Sequence, residues 1–322
     1  MKKLNWGILG TGNIANDFAK HFPRETANLY GVASRSAEKS ADFAKTHQME
    51  KSFDSYEALI HDEQVDVIYI AVPHNFHYEL IIESLKAKKH VVCEKSITIS
   101  KEQLDQAVSL AKENNLYLFE AMTIHHMPLY RKLKEWIQEN DVGPLKMVQV
   151  NFGSYKTLDQ NYYFFNKHLA GGALFDIGVY ALNFARWFLS SKPDEVLTLG
   201  NIHETGVDES SAIILRNKEK ELATISLTFR AKMPKQGIVA FENGYFTITN
   251  YPRADKATFT THDGEVTAIE AGNTEKGLTY EVESITDIIV NGKENPYLTL
   301  TLDVMEIMDK VRKDWGLKYP FE

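Results

Sequence analysis

Residues 4–15, LNWGILGTGNIA, constrain the fold more than any other stretch: a short apolar strand runs into a glycine turn and then a helix. Gly10, Gly12 and Ala15 match G-x-G-x-x-G/A. In that pattern the first glycine permits the tight turn, the second lets backbone approach a pyrophosphate, and the third small residue lets helix pack on strand. Amides and dipole at the start of such a helix favour a doubly negative group beside Thr11, Asn13 and Ile14. Taken alone, the same glycines also suit a plain strand-to-helix turn.

Residues 28–34, NLYGVAS, form a second strand candidate at the place where the fingerprint puts the group that reads an adenosine ribose. An acidic residue there would accept hydrogen bonds from a 2′-hydroxyl, whereas this chain carries Ser34, Arg35 and Ser36. That set favours a 2′-phosphate, and hence NADP: Arg35 can grip a phosphate bidentately, and Ser34 and Ser36 can donate hydroxyls. Glu38 keeps NAD as the minor alternative. A solvated loop arginine is the plainer reading of Arg35.

At 322 residues the chain is long enough for two domains. A net charge of -8 leaves no electrostatic footprint for nucleic acid or an anionic membrane. The single Cys93, inside HVVC, excludes an intrachain disulfide framework and reads as a small buried hydrophobe. No stretch approaches a membrane span, and Met1-Lys2-Lys3 leads into a strand rather than a signal-peptide apolar region. These features predict a cytoplasmic protein.

The first third alternates strand and helix patterns, which predicts parallel strands joined by right-handed crossovers. Residues 36–46 and 55–60 read as helices opened by capping serines. Residues 65–72, VDVIYIAV, read as a strand buried on both sheet faces. Pro73, Asn75 and His77 follow its carboxyl end, and Glu94 and Lys95 follow the strand at 89–93, on the edge where open α/β sheets bind ligands. A helix at 103–114 and a strand at 116–119 complete this part. The expected division is a dinucleotide-binding Rossmann domain at 1–123 and a substrate-binding and oligomerisation domain at 124–322.

The second part has another texture. An amphipathic helix at 131–139, a strand at 145–153 and a helix at about 172–189 precede strands at 195–203, 210–216, 222–230, 237–241 and 245–249. Strands at such short spacing indicate a large, mostly antiparallel open sheet in an α+β domain. Helices near Gly171, Lys276 and Leu300 are expected to cover one face. An apolar opposite face would be a subunit interface, in a homodimer or homotetramer.

Chemistry is expected where a group from the parallel-sheet edge works with a group from the second domain. Asp176 and Tyr180, four apart in GGALFDIGVYALN, share one helix face. A tyrosine hydroxyl of pKa about 10 is a poor base at neutral pH, and a nearby ammonium lowers it. Lys95 suits that task, with Asp176 orienting the ammonium or a substrate hydroxyl. Tyr180 then moves a proton on or off an alcohol oxygen while nicotinamide C4 exchanges hydride. Half-buried packing of Tyr180 and an ordinary surface role for Asp176 are the competing readings.

The runs GILGTGNIA, AVPHNFHYE, HVVCEKSITIS, FEAM and GGALFDIGVYALN, in this order and spacing, resemble the Gfo/Idh/MocA oxidoreductase family over essentially the whole chain. The tyrosine ending DIGVY resembles the branch of dimeric dihydrodiol dehydrogenases, NADP-dependent xylose dehydrogenases and glucose-fructose oxidoreductase. The resemblance implies a Rossmann domain followed by an α/β domain with a large open sheet that often mediates oligomerisation. It further implies that Lys95, Asp176 and Tyr180 occupy the catalytic positions, and that Pro73, Asn75, His77 and Glu94 line the nicotinamide side of the cofactor site. Two departures stand out: Ser96 replaces the family's proline after Lys95, and Thr123-Ile124-His125-His126 replaces Trp-Thr-Arg-Phe in a segment that normally approaches substrate.

The leading expectation is an NADP-dependent dehydrogenase or reductase acting on an alcohol or carbonyl of a sugar or polyol. The alternatives are a dihydrodiol or dicarbonyl oxidoreductase on the same fold, and a non-catalytic NADP(H)-binding sensor. Neither His74 with His77 nor the adjacent His125 and His126 makes a metal site, for want of a third ligand or a shared direction. The aromatic run Tyr162, Tyr163, Phe164 and Phe165 reads as cleft lining or as packing.

Overall fold

The structure is a computed structural model that describes residues 3–159 and 162–322. The lead-in from Met1 and Lys2 lies outside the described residues. The chain forms two compact units: the part up to Met122 with Lys276–Leu298, and Thr123–Glu275 with Thr299–Glu322.

The first unit contains β1 (Asn5–Leu9), β2 (Asn28–Ala33), β3 (Lys51–Phe53), β4 (Val67–Ile70), β5 (His90–Glu94) and β6 (Leu118–Ala121). All pairings are parallel. The strand order β3-β2-β1-β4-β5-β6 is that of a doubly wound dinucleotide-binding sheet. Strands β1, β4 and β6 are buried along their whole length, which is why they read as apolar runs rather than alternating ones. Ser36, Ser55 and Ser100 each accept an amide hydrogen bond at the start of a helix, from Lys39, Ala58 and Gln103. Each cap satisfies a donor that the helix leaves without a partner.

The core of this unit draws in a segment, Lys276–Leu298, that the expected division left to the second domain. Trp6 meets Phe18 and Phe22 with ring centroids 5.9 Å apart, and Phe18 stacks on Tyr69 at 3.7 Å. The helix Gly277–Val290 returns to cover this cluster with Leu278, Val282, Ile285 and Ile288. Thr279 donates to the His21 carbonyl at 2.8 Å, and Tyr117 donates to the Lys293 carbonyl at 2.8 Å. An apolar helical stripe states that a helix must be covered; it does not say by which sheet. The helix near Lys276, expected on the second sheet, therefore belongs to the first.

The second unit is built on β7 (Leu145–Gly153), β8 (Glu195–Ile202), β9 (Asp208–Arg216), β10 (Leu222–Thr228), β11 (Gln236–Phe241), β12 (Gly244–Thr249), β13 (Lys256–Thr261) and β14 (Val266–Glu270). Their order is β14-β13-β12-β11-β7-β10-β9-β8. Every pairing is antiparallel except that of β7 with β10. One face carries helices. Trp136 of the helix Pro128–Glu139 meets Phe246 and Phe259 at 5.3 and 4.7 Å. Phe184 of the helix Val179–Phe188 lies over Gly237, where a Cβ would collide with its ring. Arg186 joins this helix to Asp303 of the helix Leu298–Asp314 at 2.8 Å. The opposite face presents apolar side chains to solvent, with Leu199 81%, Leu197 68% and Val266 63% exposed.

Candidate active site

The glycine turn is shaped for close approach. Gly10 has φ +109, and a Cβ there would collide with the Ala71 carbonyl oxygen, so glycine alone fits. Gly12 meets nothing within 4 Å of its absent Cβ, and it opens the helix Asn13–His21 without a side-chain cap. Exposed Asn13 and half-buried Ile14 stand at that helix start, whose first amides lack intrahelical acceptors. Gly10, Thr11 and Gly12 line a cavity of about 900 Å³ together with Ser34, Arg35, Ser36, Lys39, Tyr56, Val72, Pro73 and Phe76.

At the adenosine end the three residues singled out from sequence behave differently. Ser34 is buried, donates to the Ser36 carbonyl at 2.8 Å and pairs with the Ser40 hydroxyl at 3.0 Å. These contacts shape the loop, and Ser34 lines the cavity as well. The Ser36 hydroxyl accepts the Lys39 amide at 3.3 Å and retains its own proton. Arg35 is exposed at the rim. Lys39 adds a second cation to the cavity wall, and burial pushes the Tyr56 phenol up while nearby Arg35 pulls it down. Sequence reasoning missed Lys39 and Tyr56. A cation three residues after a capping serine was the available signal for Lys39.

At the other end, Pro73 lines the cavity. The Asn75 side-chain oxygen is buried without a hydrogen-bond partner. Such an orphan acceptor is costly unless a ligand supplies a donor. The open cradle at Gly12 and this orphan oxygen fit a dinucleotide ending in a carboxamide. His77 is wholly buried, and its Nδ1 and Nε2 lie 2.9 and 2.8 Å from the carbonyl oxygens of Ser96 and Val72. It braces the loops rather than lining the cavity. His74 holds the Lys95 carbonyl at 3.0 Å, so two histidines grip the Lys95-Ser96 segment, whose peptide is cis. Glu94, also buried, accepts the Tyr69 hydroxyl and, at 3.3 Å, the Lys95 amide. No group of three or more His, Cys, Asp or Glu converges among the described residues.

In the second unit the expected single helix at 172–189 starts instead as a π-helical turn, Leu174–Gly178, followed by Val179–Phe188. Such turns widen a helix locally and recur at functional sites. Gly178 packs closely on Leu227, whose terminal methyl would have to shift for a Cβ there. Asp176 is buried in the π-helical turn and accepts the Tyr163 hydroxyl at 3.4 Å. Burial pushes the Tyr163 phenol up, and the Asp176 carboxylate adds to this, so Tyr163 stays a donor. Tyr180 faces Phe152 with centroids 6.4 Å apart. The Lys235 ammonium stands 4.8 Å over the same ring, pushed down by burial and by Arg253 while Asp176 pulls it up. Tyr163, which the sequence offered as cleft lining or packing, joins Asp176, and Lys235, which sequence reasoning missed, stands near them.

Thr123–His126 is buried. Thr123 donates to the Pro252 carbonyl at 2.8 Å, and His125 meets Asn183 at 3.0 Å and stacks on Trp187 at 5.8 Å. Burial pushes His125 down to about 3, so it is neutral at physiological pH.

Residues 4–122 match the family described as "Oxidoreductase family, NAD-binding Rossmann fold", and residues 130–247 match "GFO/IDH/MocA C-terminal domain". Among curated proteins, the trans-1,2-dihydrobenzene-1,2-diol dehydrogenase of Xenopus laevis is 31% identical, over 98% of this chain and 99% of its own. That of Homo sapiens is 27% identical, over 98% of each chain. Among solved structures, levoglucosan dehydrogenase in complex with NADH and levoglucosan aligns with a TM-score of 0.89 at 18% identity, over 98% of both chains. A 3-ketoreductase from Actinomadura kijaniata in complex with NADP aligns with a TM-score of 0.85 at 19% identity, over 97% and 98%. The strand order, the glycine cradle and these matches along both units agree: the chain belongs to the Gfo/Idh/MocA family of NAD(P)-dependent oxidoreductases.

Proposed function

We propose that this dehydrogenase or reductase uses NADP and acts on an alcohol or carbonyl carbon of a sugar or polyol, with Tyr180 as acid and base. The observation that carries the cofactor choice is the wall of the first unit's cavity, where Arg35 and Lys39 stand beside the hydroxyl of Ser36. Two cations and a hydroxyl suit a 2′-phosphate, and no carboxylate follows β2 directly to bind a 2′-hydroxyl. Bound NADP supplies the hydride acceptor or donor at nicotinamide C4. In oxidation Tyr180 takes the hydroxyl proton as the carbonyl forms; in reduction it returns that proton. Lys95 lowers the proton affinity of Tyr180, and Asp176 orients the reacting hydroxyl with Tyr163 behind it.

A second reading, oxidation of a trans-dihydrodiol or reduction of a dicarbonyl, is favoured by the names of the curated relatives and by the aromatic turn at Tyr163–Phe165. A non-catalytic sensor sits poorly with membership of an oxidoreductase family. The exposed side chains of Leu197, Leu199 and Ile214 on the neighbouring strands β8 and β9 support a homodimer or homotetramer joined through the open sheet. The buried, single Cys93 suits a reducing cytoplasm. Among the described residues no helix is long and apolar enough to cross a membrane.

Fluorescence titration with NADPH and NADH, followed by nicotinamide absorbance against sugars, polyols, dicarbonyls and trans-dihydrodiols, tests this reading. Preferential NADPH binding with turnover of a sugar or polyol supports it. Turnover confined to diols or dicarbonyls selects the second reading, and equal affinity for both dinucleotides overturns the NADP assignment.

A further inference from the structure

The segment that carries Asp176 and Tyr180 is tied at its start by residues far away in sequence. Asp208, first residue of β9, accepts the Leu174 amide at 2.7 Å. Tyr319 donates its hydroxyl to the Gly171 carbonyl at 2.8 Å. Gly172 has φ +123, and a Cβ there would collide with the Asp208 carboxylate. Glycine at 172 thus lets the carboxylate reach the turn. Phe175, directly before Asp176, packs on Tyr319 with centroids 5.6 Å apart and lies 5.5 Å from the Arg312 guanidinium. Arg312 is buried and held by Glu322 at 2.7 Å and Asp309 at 3.2 Å.

The first turn of a helix cannot hold its own amides, and most helices borrow an acceptor from the residue just before. Here no side-chain cap comes from the neighbouring chain, and the acceptor is a wholly buried carboxylate from another element. The π-helical turn bonds i to i+5, as Val179 does to the Leu174 carbonyl, and its first amides must find acceptors outside it. The position of Asp176 therefore depends on what holds Leu174 and Gly171. We propose that Asp208 and Tyr319 are positioning residues for Asp176 and Tyr180, clasping the turn from which the proposed acid–base pair is carried. This rests on the roles given above to Asp176 and Tyr180.

Charge around Asp208 bears on when the clasp is tight. Burial pushes its carboxyl up to about 7, while amides at Leu174 and Ala173 and the Arg312 cation pull it down. The Tyr319 phenol, pushed up by burial and by Asp208, stays protonated. The Asp208 acceptor is thus ionised, and strongest, on the alkaline side of neutrality.

Amide hydrogen exchange on the full chain, read by mass spectrometry on peptides spanning 171–180, tests the clasp without any substrate. D208A is expected to speed exchange there about tenfold or more, the size of one lost charge-assisted hydrogen bond, with peptides of β1 and β4 unchanged. Turnover should fall by a similar factor in kcat with KM and NADPH affinity within about twofold. D208N, which keeps an acceptor for Leu174, should restore most of both and remove the pH dependence of the protection near neutrality, read as exchange relative to the intrinsic rate of an unstructured amide at each pH. Where D208A does not fold, Y319F carries the test, with faster exchange confined to the same peptides. Exchange at 171–180 equal to that of the unaltered protein in a folded D208A or Y319F overturns the proposal. A changed exchange pattern in a protein that turns over nothing leaves the clasp standing and counts against the roles of Asp176 and Tyr180 instead.

Discussion

His77 lies with Nδ1 2.9 Å from the Ser96 carbonyl oxygen, and this contact ties the loop after β4 to the loop after β5. The second ring nitrogen lies 2.8 Å from the Val72 carbonyl oxygen, and the single N–H of a neutral ring donates to one of the two carbonyls. A histidine on the ligand edge of an α/β sheet invites a chemical role. Here its ring is spent on holding the segment that presents Lys95, and a neutral ring serves because burial pushes His77 down to about 4, with His74 acting in the same direction.

Acid should therefore weaken the fold through its buried histidines. His125, pushed down to about 3 by burial, binds a proton in the unfolded chain near pH 6.5 but not in the folded one. The unfolded state then holds more protons between those values, so stability is full above about 6.5 and is lost as pH falls, by up to ~1.4 kcal/mol per pH unit for each such group. Asp208, raised to about 7, works in the opposite sense between its unfolded value and 7, so the contribution of one histidine is read by difference. Urea unfolding of H125Q and the unaltered protein at pH 7, 6 and 5 should show a slope shallower by about one proton in the variant; equal slopes would show that His125 is not held neutral.

Arg35→Ala should weaken NADPH binding by roughly tenfold or more, the value of a charge-assisted phosphate contact, and leave NADH binding within about twofold. Lys39→Ala should act in the same direction, since both line one cavity. Parallel fluorescence titrations decide the point, and equal losses for the two dinucleotides would remove the 2′-phosphate assignment.

Tyr180→Phe deletes one hydroxyl and keeps the ring that faces Phe152. Turnover should drop about a hundredfold, the usual scale of general acid–base catalysis, with NADPH affinity unchanged. Steady-state kinetics beside a binding titration separates the two quantities; undiminished kcat would exclude Tyr180 as the proton carrier.

Ile285→Ala tests the returning helix. The side chain is 0% exposed within the cluster of Trp6 and Phe18, so its truncation should cost about 2–5 kcal/mol. Intrinsic fluorescence during denaturant unfolding should register the loss, and a change below about 0.5 kcal/mol would mean the helix does not close that core.

The glycine turn and the apolar strands of the first unit were legible because their signals are local: a backbone that only Gly10 tolerates, and runs such as VIYI buried on both faces. The short spacing of the later strands likewise marked the mostly antiparallel second sheet. What escaped was set by distant partners. Nothing near Asp176 announces Tyr163 as its donor or Asp208 as the acceptor for Leu174, and nothing in the stripe of Leu278, Val282 and Ile285 names the sheet beneath it. The contacts of Ser34 with Ser36 and Ser40 were likewise not legible, because a hydroxyl that serves a phosphate and one that serves its own loop look alike in sequence.

The split composition of the first unit also sets an order of events at the ribosome. Its six strands are made early, yet the helix that covers Trp6, Phe18 and Phe22 is made only after all of residues 123–275. At about 5–20 residues per second the nascent sheet waits on the order of ten seconds or more with that apolar face uncovered. The dinucleotide-binding unit is thus begun first and finished late, and a chain cut at its apparent boundary should emerge with one wall of its core missing.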